Sequence, residues 1–187
     1  MGISFQEHIN HLLWNALEEY KNSYHITCEE HQIANQFLDF ISRYEQCFER
    51  SHAGHVTGSA WIVNHEQTHA LLTHHKKYNS WFQLGGHADG DRNAQGVALK
   101  EAYEESGICN LQLITPVIFD LSIHPIPNQC EYHYDVRYLL QAPPDAVCVL
   151  SEESIDLAWI SFDDLTNYTT EREVLRMNQK FLQFFKK

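Results

Sequence analysis

The sequence predicts an α+β fold, a sandwich built on a sheet of mixed strands and preceded by a helical extension. Three observations carry this. Apolar residues recur at helical spacing through the first fifty positions, runs rich in Val, Ile, Thr and aromatics follow, and a glycine turn leads from one such run into a second helical stretch. With 187 residues the chain supplies one sizeable core but not two. It divides into a helical extension over 1–50 and a main domain over 51–187.

Phe5, Ile9, Leu12, Leu13, Ala16 and Tyr20 lie at helical spacing, and Ile33, Phe37, Ile41, Tyr44 and Phe48 repeat it beyond a polar link around KNSYHITCEE. HVTGSAWIV and HALLTHH, joined by NHEQT, predict a β-hairpin, and WFQL a short strand ending at Gly85 and Gly86. NLQLITPVIFDLSIH and EYHYDVRYLL predict two strands linked by PIPNQC, with Pro125 and Pro127 marking the loop. Asp120, Ser122 and His124 share one face of the first, and Glu131, His133, Asp135 and Arg137 one face of the second. LAWISF predicts a last strand. Val174, Leu175, Phe181, Leu182 and Phe185 form the apolar side of a closing helix, whose end suits Lys186 and Lys187.

Hydrophobic residues at 43% and charged residues at 20% fit a soluble globular protein, and no apolar run approaches the roughly 18 residues of a membrane span. The start, MGISFQEHINHLLWN, lacks the basic n-region of a signal peptide, and Gly2 satisfies only part of a myristoylation pattern. Cysteines 28, 47, 109, 130 and 148 form no C-x-x-C pair and read as reduced thiols of a cytoplasmic protein. A formal charge of −12 argues against a nucleic-acid polymer or an anionic membrane as partner. If the protein handles phosphates, metal cations must help.

Within GGHADGDRNAQGVALKEAYEESGI, residues 85 to 108, Glu101, Glu104 and Glu105 fall three and four positions apart and share a helical face. Such a cluster persists when it is solvated, neutralised by bases or bound to divalent cations, and hard oxygen ligands suit Mg2+ or Mn2+ rather than zinc. Composition alone does not choose among the three.

This stretch resembles the box of the Nudix hydrolases. The box runs Gly, five residues, Glu, seven residues, Arg-Glu-aliphatic, any residue, Glu-Glu, any residue, Gly-aliphatic. Aligned from Gly86, the chain supplies Glu101, Ala102, Glu104, Glu105, Gly107 and Ile108 in register, while Arg92 stands at the first Glu and Lys100 at the Arg. The resemblance covers about residues 55 to 165 and implies an α/β/α sandwich with a mixed sheet. It also implies a Mg2+- or Mn2+-dependent hydrolase that cleaves the diphosphate linkage of a small nucleoside diphosphate derivative or related organic pyrophosphate. By position Glu104 and Glu105 are expected metal ligands, Glu101 a further ligand or the general base, and the Gly85 carbonyl a metal contact. Glu101 and Glu105 are the expected catalytic pair, and Glu152 or Glu153 supplies a late-loop acid. In the family the box Arg and first Glu pin loop to helix. Here Lys100 with Asp91 is expected to replace that pair, less directionally because Lys lacks the Arg fork.

Two alternatives accompany this reading. One is a catalytically weak or inactive Nudix-fold module that binds a nucleotide for regulation. The other is a zinc protease, because HEQTHALLTHH holds His65-Glu66-x-x-His69, with His75 where a third histidine ligand would fall. That needs His65 and His69 on one helix, whereas the segment lies between two strand-like runs and reads as a polar hairpin turn.

His87 and Asp89 follow the glycine turn, and GGHAD together with HYDVR is similar to a subgroup of the family. His124, His133 and Arg137 are then expected to contact phosphate or leaving group, with His87 joining them or a second metal site. Arg137 is the foremost anion contact. The competing reading is a half-exposed antiparallel hairpin. His74 and His75 read as surface residues, and Trp61, Trp81 and Trp159 as core. The added helical pair offers a surface for a homodimer.

Overall fold

The computed structural model describes residues 11–23, 25–126 and 131–186. Phe5, Ile9, Pro127, Cys130 and Lys187 lie outside the described residues.

Helices α1 (His11–Lys21) and α2 (Cys28–Arg43) form the expected pair. A capping box starts α2: the Thr27 hydroxyl accepts from the Glu30 N–H at 3.2 Å, and the Glu30 carboxylate accepts from the Thr27 N–H at 2.7 Å. Their apolar sides are used within the chain. Leu13, Leu17, Tyr20, Phe37, Phe40 and Ile41 share one core cluster with Val56 and Val136 of the sheet.

Among the described residues eight strands form one mixed sheet. They are β1 (Gly54–Val63), β2 (His69–His75), β3 (Ser80–Phe82), β4 (Leu84–His87), β5 (Gln112–Leu113), β6 (Asp120–Pro125), β7 (Tyr132–Gln141) and β8 (Ser154–Ser161). The central pair, β1 and β7, is parallel and in register from Gly54↔Tyr132 to Val63↔Gln141. The other pairings are antiparallel: β2, β4 on β1; β3, β8 on β2; β5, β6 on β7.

Helix α3 (Ala94–Ser106) lies on the same face as α1 and α2, burying Ala98 and Ala102 against the sheet. Helix α5 (Arg172–Phe184), reached through the short α4 (Leu165–Tyr168), covers the other face, where Val174, Met177 and Phe181 meet Trp61, Leu72 and Leu139. This is the α/β/α sandwich with an added helical pair.

Two predicted strands are each split. WFQL becomes β3, which pairs β2, and β4, which pairs β1, because the chain changes neighbours at Gln83. NLQLITPVIFDLSIH becomes β5 and β6. Ile114 N–H bonds Leu139 O and Phe119 N–H bonds Arg137 O, so residues 115–118 loop out opposite Tyr138 alone, at a site containing Pro116, which has no N–H to give a ladder.

His65 and Glu66 lie in the β1–β2 turn, where the Asn64 side chain accepts from the Thr68 and His69 N–H groups at 2.8 and 3.1 Å. His65 and His69 are therefore not on a helix, which removes the zinc-protease arrangement. Trp61 is core, while Trp81 and Trp159 are partly buried against it. Trp81 stacks on the half-buried His74 at 5.0 Å, so His74 is more than a surface residue. Cys28, Cys47, Cys109 and Cys148 are free thiols.

Candidate active site

Helix α3 begins where the Asn93 side chain accepts from the Gly96 N–H at 3.1 Å, and it ends at Gly107. Burying Ala98 and Ala102 sets its rotation. Glu101 and Glu105, one turn apart, then face the end of β4, while Glu104 is exposed on the flank. Gly86 makes room for this approach: a β-carbon there would stand 2.5 Å from Glu101 Oε2. The Gly85 N–H donates to the Glu105 carboxylate, yet Glu105 Oε2 is buried with no partner among the described residues.

Burial, then the charges of Glu101 and Glu153, push Glu105 up to about 8 against the pull of that N–H. Burial is also the main cause that raises Glu101, with Lys100 opposing it. Glu153 thus stands within electrostatic reach of both. Its loop is tied back by Lys76, whose N–H bonds Glu153 O at 3.1 Å and whose Nζ bonds Glu152 O.

The opposite sheet face carries the polar alternation expected of β6 and β7, buried at Asp120, Ser122, Asp135 and Arg137 and half-buried at His124 and His133. Register pairs align Asp120 with Arg137, Ser122 with Asp135 and His124 with His133, and β1 adds His55, Thr57 and Ser59 beside His133, Asp135 and Arg137. Arg137 is 1% exposed. It donates to Asp135 Oδ2 at 2.7 Å, to Asp120 Oδ2 at 2.9 Å and to Glu173 Oε2. Three of its five N–H groups are thus directed at carboxylates and the side chain is sealed from solvent, so Arg137 stands inside an ion network rather than at the open position expected of an anion contact. In an acidic chain the buried cation is consumed internally.

Asp135 also accepts from Thr57 and Ser59 at 2.8 and 2.7 Å. Arg176 and Lys180 of α5 reach Asp120 at 2.6 and 3.4 Å, and Lys180 continues to Glu30, which holds the Tyr20 hydroxyl at 3.0 Å. Burial works to raise Asp120 and Asp135, but the cations prevail and hold both below the usual carboxylate range. Glu173 is lowered likewise.

Beyond this network the same face ends in imidazoles. His87 Nε2 lies 3.2 Å from His133 Nε2, and the His55 ring packs 5.1 Å from His87 and 5.0 Å from His133. Burial, then Arg50 and His55, lower His87 to about 4, and burial, then His124 and His87, lower His133 to about 3. His124 is half-buried between Ser122, at 3.3 Å, and Glu173, at 4.0 Å. Two groups were missed by the sequence reading. His55 stands in alternation with Thr57 and Ser59, the same signal that marked β6 and β7, and Glu173, Arg176 and Lys180 repeat at helical spacing among the apolar residues of α5.

A family model described as the NUDIX domain matches residues 54–179, more than half of the chain. The chain belongs to the NUDIX family. A Caenorhabditis elegans Ap4A hydrolase binary complex is similar at 18% identity and TM-score 0.60, over 69% of this chain and 96% of that one. A NUDIX-family hydrolase from Clostridium perfringens is similar at 24% identity and TM-score 0.58, over 67% and 95%. The NUDIX domain of Shewanella oneidensis NrtR complexed with ADP ribose shares 13% identity at TM-score 0.54, over 78% and 96%. These identities speak to fold. No curated protein matches the chain significantly.

Within the NUDIX box, the expected Asp91–Lys100 pair does not form. Lys100 Nζ lies 3.5 Å from both Glu101 and Glu104, its nearest carboxylates along the helix, while Asp91 Oδ1 accepts from the Asn93 N–H at 2.9 Å. Arg92 lies over the Phe48 ring at 5.7 Å. The loop is anchored instead to the segment before β1. Arg50 grips Asp89 with bonds of 3.0 and 2.8 Å, and the Gly90 N–H bonds Phe48 O at 2.9 Å. The NUDIX carboxylates fit a divalent cation: Glu105 offers a buried oxygen that no donor among the described residues satisfies, beside the carboxylate of Glu101.

Proposed function

We propose that this NUDIX protein is a divalent-metal-dependent pyrophosphohydrolase acting on the diphosphate linkage of a small nucleoside diphosphate derivative or related organic pyrophosphate. The unsatisfied, buried oxygen of Glu105 beside Glu101 carries the reading. Among the described residues no ion pair to a buried cation is formed by either acid, so a cation from solution would supply the compensation that their ionised forms lack. Mg2+ or Mn2+ bound there would offset the diphosphate charge and acidify the attacking water.

Glu101 and Glu105 orient toward the Gly85-Gly86 turn and serve as cation ligands, with Glu104 on the exposed flank and the Gly85 backbone beside them. Burial raises both inward acids in the metal-free protein, a bound cation would favour their ionised, ligating forms, and Glu153 adds the late-loop acid. His124 lies on the opposite sheet face beside Ser122 and Glu173, so the contacts to phosphate and leaving group are left to the side that carries Glu101 and Glu105. The Ap4A hydrolase and the ADP-ribose complex among the similar folds support a nucleotide-derived diphosphate as substrate class.

The test is a product assay over nucleotide sugars, dinucleoside polyphosphates, nucleoside triphosphates and isoprenoid diphosphates with Mg2+ or Mn2+, comparing wild type with Glu105→Gln. Cleavage by the wild type and its loss in the variant are expected. A wild type that binds such ligands and cleaves none would make the protein a binding module.

A further inference from the structure

We propose that His55, His87 and His133 form a transition-metal site, of the kind that takes Zn2+, on the sheet face opposite the box carboxylates. The site does not depend on the hydrolase reading. Along β4, Gly86 meets Glu101 on one face, whereas His87 turns to the other and meets His133 of β7.

One ligand atom from each imidazole lies within 4.8 Å of the other two, and the His87–His133 pair already stands at 3.2 Å. Nitrogen ligands around a tetrahedral zinc ion are roughly 3.3 Å apart. One edge of the coordination shell is therefore at ligand spacing, and binding would draw the His87 and His133 rings, both half-buried, toward His55.

The decisive atom is His55 Nε2. Its ring partner Nδ1 stands 3.0 Å from His52 O and donates to it, which fixes the tautomer and leaves Nε2 as a bare lone pair. That Nε2 is buried with no hydrogen-bond partner among the described residues, in a side chain 1% exposed. A buried acceptor left in this state costs free energy that a cation would recover.

The donor set selects the ion. Three imidazoles without a carboxylate suit a borderline ion such as Zn2+ and disfavour Mg2+, which demands oxygen. The nearest acids are engaged elsewhere, Asp135 with Arg137 and Asp89 with Arg50. Three protein ligands leave a fourth position for water or a substrate oxygen. Because β1, β4 and β7 each contribute one ligand, the ion would also pin the Gly85-Gly86 turn on which the carboxylates converge.

Metal-free full-length protein, with excess Mg2+ to fill oxygen-ligand sites, is titrated with Co2+ and followed by visible absorption, then competed with Zn2+. One equivalent should give the intense spectrum of tetrahedral, nitrogen-ligated cobalt, displaced by zinc. His87→Asn and His133→Asn, at half-buried positions, should each weaken binding by at least about 100-fold, and Glu105→Gln should retain it even if hydrolysis is lost. Zinc X-ray absorption of the wild type tests the same ligands without substitution and should show three imidazole nitrogens. No intense cobalt spectrum, a spectrum that survives both histidine variants, or an oxygen-dominated zinc shell would overturn the site.

Discussion

The two faces of the central sheet hold carboxylates in opposite electrostatic circumstances. Under α5, Asp120, Asp135 and Glu173 are each matched by Arg137, Arg176 or Lys180, and their proton affinities fall. Under α3, Glu101 and Glu105 face each other and Glu153, the cation paired with Glu101 among the described residues is the exposed Lys100, and their proton affinities rise. Burial opposes ionisation on both faces, so it does not distinguish them. Partner supply does. The compensated face holds strands and helix together, whereas the uncompensated one is available to a cation from outside, which is why the first is read as scaffold and the second as active site.

The contrast is broken most severely by exchanging the two kinds of residue. Glu105→Gln should lower metal-dependent diphosphate hydrolysis by about a hundred- to ten-thousandfold while leaving the thermal midpoint of the metal-free protein unchanged or higher, since it replaces a buried carboxyl whose ionisation its surroundings oppose with a neutral amide of the same shape. A fall in the midpoint alongside activity would mean that Glu105 is structural. Arg137→Met should do the reverse, costing about 3–5 kcal/mol of stability in denaturant melts because the buried Asp120 and Asp135 and the partly buried Glu173 lose their shared cation. Were Arg137→Met to melt like the wild type but bind substrate poorly, Arg137 would be an anion contact after all.

A subtler contrast is the sign of the pH dependence in metal-free protein. With Glu105 raised from its ordinary 4.5 to about 8, the folded state holds a proton that the unfolded state releases, so stability falls as pH rises through that window. Asp120, Asp135 and Glu173 are lowered, so their contribution is present above the ordinary carboxylate range and is lost as pH falls through it. Subtracting the urea-melt profile of Glu105→Gln from that of the wild type should leave only the alkaline fall, because the titrations of His87, His133 and the network are common to both. A flat difference would place Glu105 in ordinary solvent. The smallest effect belongs to the box departures. Lys100→Met should change stability by less than about 1 kcal/mol, as for exposed ion pairs. A double-mutant cycle with Asp91→Ala should show no coupling, and measurable coupling would restore the loop pair that the structure lacks.

The strand-turn-helix order and the three glutamates were legible in the sequence because both are local: alternation, glycine and i, i+4 spacing need no knowledge of distant residues. The same alternation marked Asp120, His133, Asp135 and Arg137 as one polar surface, yet could not tell whether water or a helix covers it. Arg137 was accordingly read as an anion contact, although Glu173, 36 positions later, already occupies it. The Asp91–Lys100 pair failed for the same reason in miniature. Each side chain found a nearer partner on its own element, and the loop was tied down by Arg50, 39 residues before Asp89.

By itself the sequence determined the element types, the polar and apolar faces of each strand and the residue chemistry of the NUDIX box, because these follow from backbone periodicity and side-chain type. Only the tertiary structure decided which of these charges are neutralised and which are left open. Register places β1 parallel to β7, and Arg176 and Lys180 of α5 join Arg137 of β7 on one face, whereas the facing acids of the other have the exposed Lys100. A carboxylate's role depends on the charges within a few ångströms of it, and those come from residues far apart in the chain.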